Sequence, residues 1–343
     1  MNFQPVSEKS LKEGADILLK GGLVAFPTET VYGLGADAFN PQALAKIFEV
    51  KKRPYFDPLI VHIAAIETLE KVCDFSVLNK ETKKKLFLLA ENFWQGPLSV
   101  ILPKNKNIPG IATAGLQTAA IRFPDNEAAL KLIFLSGGAV AAPSANPFGA
   151  LSPTKAEHVR SSLGEKIDLI LDGGPCRIGV ESTVIDITGE CIKILRHGGT
   201  PKESIENILK FKLESMERTA ENGKFSSPGL LKSHYAPRTR LYVLERDAIL
   251  KKDLKNDEYS NQKTAFLFFD GTARDAWREV QIPHDNVIIR TLSETGSLVE
   301  AASRLFDILH ELDSFNLSAI YAQSAPSHGL GEAINDRLTR GSS

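Results

Sequence analysis

Residues 23–35 read Leu23-Val24-Ala25-Phe26-Pro27-Thr28-Glu29-Thr30-Val31-Tyr32-Gly33-Leu34-Gly35. Leu23 to Phe26 is a short apolar strand, and Pro27 ends it because a prolyl nitrogen has no hydrogen to give to a ladder. Hydroxyls and glycines follow at once. Open α/β sheets place ligands in the loops at strand ends. Glycine lets a backbone come close to a ligand, and threonine supplies both a donor and an acceptor. Taken alone, the segment equally suits a tight turn.

The same alternation of apolar strand and amphipathic helix extends outward from this point. Leu11, Ala15, Leu18 and Leu19 fall at helical spacing, and Gly21-Gly22 stops that helix. Asn40 and Pro41 read as the N-cap and first residue of a helix carrying Leu44, Ile47 and Phe48. Strands are expected at Leu59–Ala64, Leu98–Leu102, Ala119–Arg122, Ala139–Ala142, Ile167–Leu171, Thr183–Ile187 and Ile192–Leu195, with helices near 83–93 and 155–163. Ser152 or Thr154 is the expected cap of the last helix. Strands and helices that do not strictly alternate predict a twisted, mixed α/β sheet flanked by helices.

From about Lys212 to Pro237 the periodicity dissolves into small and polar residues. It returns at Leu241–Leu244, Thr264–Phe269, Val287–Ile289 and Ile320–Ala322, with a helix at Leu298–Leu312. The expected division is a first domain at 1–211, a linker at 212–239 and a smaller α/β domain at 240–343.

Hydrophobic residues make up 43% and charged residues 24% of the 343, and the formal net charge is −1. A chain gripping a large nucleic acid by charge alone would be basic, so an anionic ligand is expected to be held locally. Cys73, Cys176 and Cys191 lack the spacing of a zinc site or of a disulfide framework. No apolar run reaches the ~20 residues of a membrane span, and no basic-then-apolar leader opens the chain. The expectation is a cytoplasmic protein with no membrane contact.

Three further loops carry polar groups at strand ends. Lys51-Lys52-Arg53-Pro54-Tyr55-Phe56-Asp57-Pro58 closes a helix with three cations and then stiffens. Cations suit a helix C-terminus without any ligand, and His62 beyond them suits an apolar core as well as a site. The second loop, Ala142-Pro143-Ser144-Ala145-Asn146, runs on to Ser152-Pro153-Thr154. The third is Asp172-Gly173-Gly174, followed by Gly179-Val180-Glu181-Ser182-Thr183. No GxxxxGK[ST] is present, so phosphate binding is not of the P-loop kind, and neither HExxH nor GxSxG occurs.

Taken in order, FPTETVYGLG, KKRP with PLIVHIA, AAPSAN with SPT, and GVESTVID resemble the YrdC-type threonylcarbamoyl-AMP synthases over residues 7–210. SPGLLKSHYAP and GLGEAINDRL resemble the longer, two-domain branch of that family. The resemblance implies a YrdC-like sheet with a concave basic cavity and a second, smaller Rossmann-like domain. It implies an ATP-dependent nucleotidyltransferase that joins L-threonine, bicarbonate and ATP, with Mg²⁺ carried by the phosphates rather than by a protein metal site. The threonylcarbamoyl-AMP formed would pass to a tRNA threonylcarbamoyl transferase; direct tRNA binding is left open.

By the same resemblance Lys51, Arg53, Ser144 and Asn146 are the catalytic set gripping the nucleotide, with Thr118, Ser152 and Arg196 as further ATP contacts. Tyr235 matches a residue that reaches back over the nucleotide. Thr30, His62, Arg122, Ser182 and the main chain of Ala142 match the threonine pocket. Asp57 also falls in the ATP region, where an acidic group repels phosphate unless Mg²⁺ or Lys52 intervenes. The chemistry fits these roles: Arg122 suits a carboxylate bidentately, and Lys51 and Arg53 suit phosphate as point charge and fork. The rival reading is an RNA-binding module using Lys51, Lys52, Arg53, Arg122 and Arg196 as phosphate contacts. The near-neutral charge and the lack of aromatics interleaved with basic residues weigh against it.

Overall fold

The computed structural model describes residues 2–215, 234–251, 262–280 and 286–342. The chain divides into two compact units. The first is built from residues up to 148, 152–177 and 181 onward to the end of the sheet; the second takes 149–151, 178–180 and the C-terminal part. Most of the expected linker, 216–233, lies outside the described residues.

The strands of the first unit are β1 (Phe3–Pro5), β2 (Val24–Phe26), β3 (Gly33–Asp37), β4 (Ile60–Ile63), β5 (Leu98–Pro103) and β6 (Thr118–Arg122). They continue with β7 (Ala139–Ala141), β8 (Leu169–Asp172), β9 (Thr183–Asp186), β10 (Lys193–Arg196) and β11 (Glu214–Ser215). They form one mixed sheet in the order β1-β8-β2-β3-β7-β4-β6-β5-β9-β10-β11. Its helices are α1 (Glu8–Leu19), α2 (Pro41–Lys51), α3 (Leu69–Val72), α4 (Lys80–Phe93), α5 (Glu127–Leu135), α6 (Ala156–Ser162) and α7 (Lys202–Leu209). Asn40 caps α2 as expected, its side chain accepting from the N–H groups of Gln42 and Ala43.

Burial explains why this sheet offers a site. One face packs on a large core that includes Leu44 and Ile47 of α2, Leu86 and Leu89 of α4, and Ile205 of α7. Strand residues Val61, Val100, Ile121 and Ile185 point into it. On the other face, Leu11 and Leu18 of α1 and Leu132 of α5 cover Val24, Phe26, Val140 and Leu169. Over β4, β6, β5, β9 and β10 that second face carries, among the described residues, a small cluster of strand residues: Ile60, Ala120, Ile101, Val184 and Leu195. The polar neighbours of this cluster are the residues of interest.

Two expectations need correction. Gly33-Leu34-Gly35 is not a ligand loop but part of β3, antiparallel to β2. A Cβ on Gly35 would stand 2.8 Å from Phe26 Cε1 and 2.9 Å from Val140 Cγ1, so glycine here lets strands pack over an aromatic ring. Neither Ser152 nor Thr154 caps α6, whose first residue follows Lys155 with no side-chain cap; the Ser152 hydroxyl is engaged by Glu181 instead. The edge strands β1 and β11 went unread because three and two residues show no alternation.

Among the described residues the second unit has four strands, β12 (Arg240–Leu244), β13 (Thr264–Asp270), β14 (Val287–Ser293) and β15 (Ala319–Gln323). They are all parallel, in the order β12-β15-β13-β14. Its helices are α8 (Arg246–Leu250), α9 (Gly271–Val280), α10 (Leu298–Asp313) and α11 (Leu330–Gly341). Parallel strands joined by helices are the expected Rossmann-like arrangement, and central β13 is an unbroken buried run from Thr264 to Phe269. Among the described residues no helix is long and apolar enough to cross a membrane.

Candidate functional site

Strand register brings the first group of polar residues together. In the parallel pair β4/β6, His62 lies opposite Arg122, and in β5/β6 Ser99 lies opposite Arg122. Side chains alternate along a strand, so His62, Arg122 and Ser99 share the face of Ile60, Ala120 and Ile101. Ser182, one residue before β9, bonds Ser99 through their hydroxyls at 2.8 Å. The register of β9 and β10 shifts between Ile194 and Arg196. Two residues of β10 then oppose one of β9, so Leu195 joins the small strand cluster and Arg196 reaches Ser182. The Arg196 guanidinium donates to the Ser182 carbonyl at 2.9 Å and to its hydroxyl at 3.1 Å.

Arg122 Nη2 donates to Glu29 Oε1 at 2.6 Å and to Thr30 Oγ1 at 2.9 Å. Both partners stand in the loop after β2 and both are buried. His62 is 3% exposed. Burial first, then the positive charge of Arg122, push its pKa down to about 3, so it is a neutral imidazole at ordinary pH. Ala142 follows β7 and donates its N–H to Ile60 O at 2.9 Å; a main-chain contact from Ala142 to a ligand falls to its carbonyl.

The second group is organised by Lys51, the last residue of α2. Its side chain is 1% exposed, and its ammonium donates to the carbonyls of Ser144, at 2.6 Å, and of Asn146. Burial, then the charge of Arg53, lower its pKa well below the ordinary lysine value, while Asp57 opposes them. Lys52 turns the chain in a left-handed conformation at the helix end. Arg53 then folds back on its own loop, donating to Asp57 O at 3.0 Å and Pro58 O at 2.8 Å, with its guanidinium 2.8 Å from the Asp57 carboxylate. The loop after β2 joins the Ser144 segment through the Ala145 N–H to Tyr32 O bond and a Gly33–Ser144 bridge.

The residues picked from the sequence therefore fall into neighbouring sets, with His62 placed beside Arg122 by strand register rather than by a bond. Thr30, His62 and Arg122 meet at the ends of β2, β4 and β6; Ser182 meets Arg196; Lys51 meets Ser144 and Asn146; Arg53 meets Asp57. Thr118 begins β6 on the face of Arg122, four residues along the same strand. Ser152 donates to Glu181 at 2.5 Å. Tyr235 belongs to the second unit, where it is buried, edge-on to His234 at 4.2 Å and 5.8 Å from Phe306, with Arg337 over its ring.

Sequence reasoning passed over Glu29, Ser99 and Glu181. Glu29 was visible inside the hydroxyl-rich loop, where a lone carboxylate among threonines is the signal. Ser99 was visible as the one polar residue of Leu98-Ser99-Val100-Ile101-Leu102. Nothing local distinguished Glu181.

Two family models divide the chain between them. One, for the Sua5, YciO and YrdC proteins and described as "Telomere recombination", matches residues 16–198. The other, "Threonylcarbamoyl-AMP synthase, C-terminal domain", matches residues 200–343. The chain belongs to the threonylcarbamoyl-AMP synthase family. A relative of that name from Pyrococcus abyssi is 40% identical over 345 residues, covering 98% of this chain and 95% of its own. One from Bacillus subtilis is 38% identical, covering 97% and 93%. The crystal structure of P. abyssi Sua5 complexed with L-threonine superposes with a TM-score of 0.86 at 37% identity, over 99% of this chain and 96% of that one. Membership in the synthase family thus extends through both units, with the α/β architecture of the whole molecule.

Proposed function

We propose that this chain is an L-threonylcarbamoyladenylate synthase, forming threonylcarbamoyl-AMP and pyrophosphate from L-threonine, bicarbonate and ATP for tRNA modification. The observation that carries the reading is the likeness, along nearly the full length of both chains, to synthases of that name. The polar groups of the first unit are the right kinds for the work.

In this reading Arg122 holds the threonine carboxylate, and Thr30, His62 and Ser182 surround the rest of the amino acid, with the Ala142 carbonyl as a further acceptor. A neutral His62 suits a hydroxyl better than a cation would. A site whose buried groups need that hydroxyl rejects an isostere that lacks it. Lys51, Arg53, Ser144 and Asn146 grip the phosphates, with Thr118, Ser152 and Arg196 as further nucleotide contacts. Lys51 also holds the Ser144–Asn146 main chain in place. Asp57 offsets part of the Arg53 charge.

The threonine amine captures the bicarbonate carbon with loss of water. An oxygen of the resulting carbamate attacks the α-phosphorus, and pyrophosphate leaves. The protein's part is positioning and charge stabilisation. Mg²⁺ would enter with ATP and neutralise phosphate charge. In this reading the ion is held mainly by phosphate oxygens and water. The product would pass to a tRNA threonylcarbamoyl transferase in the cytoplasm.

The test is pyrophosphate release with mass detection of the adenylate. Release should require threonine, bicarbonate and ATP together; release without threonine overturns the substrate assignment. Arg122→Ala should weaken threonine more than ATP, and the reverse order would remove Arg122 from the amino-acid pocket.

A further inference from the structure

The ion pair between Glu29 and Arg122 is incomplete in a particular way. A buried Arg–carboxylate pair ordinarily closes two parallel bonds, because the guanidinium fork matches the carboxylate. Here a single bond forms, Nη2 to Oε1 at 2.6 Å. Glu29 Oε2 and Arg122 Nε are both buried and both without a hydrogen-bond partner, although the two side chains are 1% and 4% exposed. Buried polar groups are nearly always satisfied. One spare acceptor beside one spare donor is what a ligand with a donor and an acceptor would complete.

Thr30 adds to the pattern. Thr28 donates its hydroxyl proton to the Val31 carbonyl at 2.6 Å. The bond of 2.9 Å between the Thr28 and Thr30 hydroxyls must then carry the proton of Thr30. Thr30 Oγ1 also accepts from Arg122. Its proton is spent, and it offers a ligand only a lone pair. The cluster therefore presents two acceptors, Glu29 Oε2 and Thr30 Oγ1, and one donor, Arg122 Nε. That set matches an α-amino acid, with N–H groups on one side and a carboxylate on the other.

We propose that Glu29 accepts an N–H of the amino-acid substrate's amine through Oε2, while Oε1 fixes Arg122 for that substrate's carboxylate. The proposal rests on the amino-acid reading of this pocket and adds the group that recognises the amine. Glu29 thereby holds the nucleophile where the carbamate forms.

Calorimetric titration of the full chain with L-threonine and with 3-hydroxybutanoate, the same skeleton without the amine, tests it. Wild-type protein should prefer L-threonine by about tenfold or more, the usual weight of a charge-assisted bond. Glu29→Gln should weaken L-threonine about tenfold more than it weakens 3-hydroxybutanoate, with ATP binding unchanged. Equal weakening of both ligands means that Glu29 acts only through Arg122 and overturns the amine contact. Wild-type indifference to the amine overturns it without any variant. If Glu29→Gln fails to fold, the same ratio is read on Glu29→Asp. Wild-type protein that binds neither compound overturns the amino-acid pocket itself, an outcome distinct from loss of the Glu29 contact alone.

Discussion

Lys51 Nζ lies 2.6 Å from the carbonyl oxygen of Ser144, joining the end of one helix to a loop 93 residues further along the chain. With the Asn146 carbonyl as second acceptor, this lysine shapes the loop as well as charging it. An ammonium has three protons, so two main-chain bonds leave one direction for a ligand.

Lys51→Ala should therefore lower the rate of pyrophosphate release by about a hundredfold or more, comparable to losing one preorganised charge-stabilising donor. Thermal denaturation should show a parallel loss of stability, because the Ser144 and Asn146 carbonyls lose this donor. Normal turnover in this variant would remove Lys51 from the nucleotide site.

Arg53 and Asp57 are a buried pair at 2.8 Å. Removing one member of such a pair costs about 3–5 kcal/mol. Asp57→Asn should be destabilised without ligand and should recover more on adding ATP than wild-type protein does, since ATP restores negative charge near Arg53. A ligand-induced shift in melting temperature equal to that of wild-type would show that Asp57 does not face the nucleotide's charge.

His62 should imprint on the pH dependence of stability. Its folded pKa, about 3, is below its ordinary value of 6.5. The unfolded chain then binds a proton that the folded chain refuses. The stabilising contribution is complete above about pH 6.5 and is lost progressively as pH falls toward 3. His62→Gln should remove a slope of up to about 1.4 kcal/mol per pH unit in that window. Denaturant unfolding at pH 7.5, 6 and 5 measures it, and identical slopes in the two proteins would refute it.

Gly35→Ala should cost about 1–3 kcal/mol by overpacking, because the added methyl would stand 2.8 Å from Phe26 and 2.9 Å from Val140. Phe26→Leu in the same chain should return part of that loss. A neutral Gly35→Ala variant would show that β2 and β3 separate freely there.

Fold class was legible in residue order, because apolar runs and helical spacing report local burial. Asn40-Pro41 marked a helix start, and Leu298 to Leu312 a helix, from neighbours within a few positions. Lys51, Arg53, Arg122, Ser144 and Ser182 stood out as candidates by residue type. β3 was not: its glycines speak equally for a turn and for a strand crowded by an aromatic ring, and only the position of Phe26 decides.

Alternation along β5 and β6 tells which residues share a face, and that much of the site is written in the chain. Which residue stands opposite which depends on register between strands distant in sequence. Ser99 meets Ser182 across 83 positions and Arg122 meets Glu29 across 93, and no local pattern encodes either pairing. The open fork between Glu29 and Arg122 is a property of packed geometry alone, since composition records both charges but not the bond they fail to close.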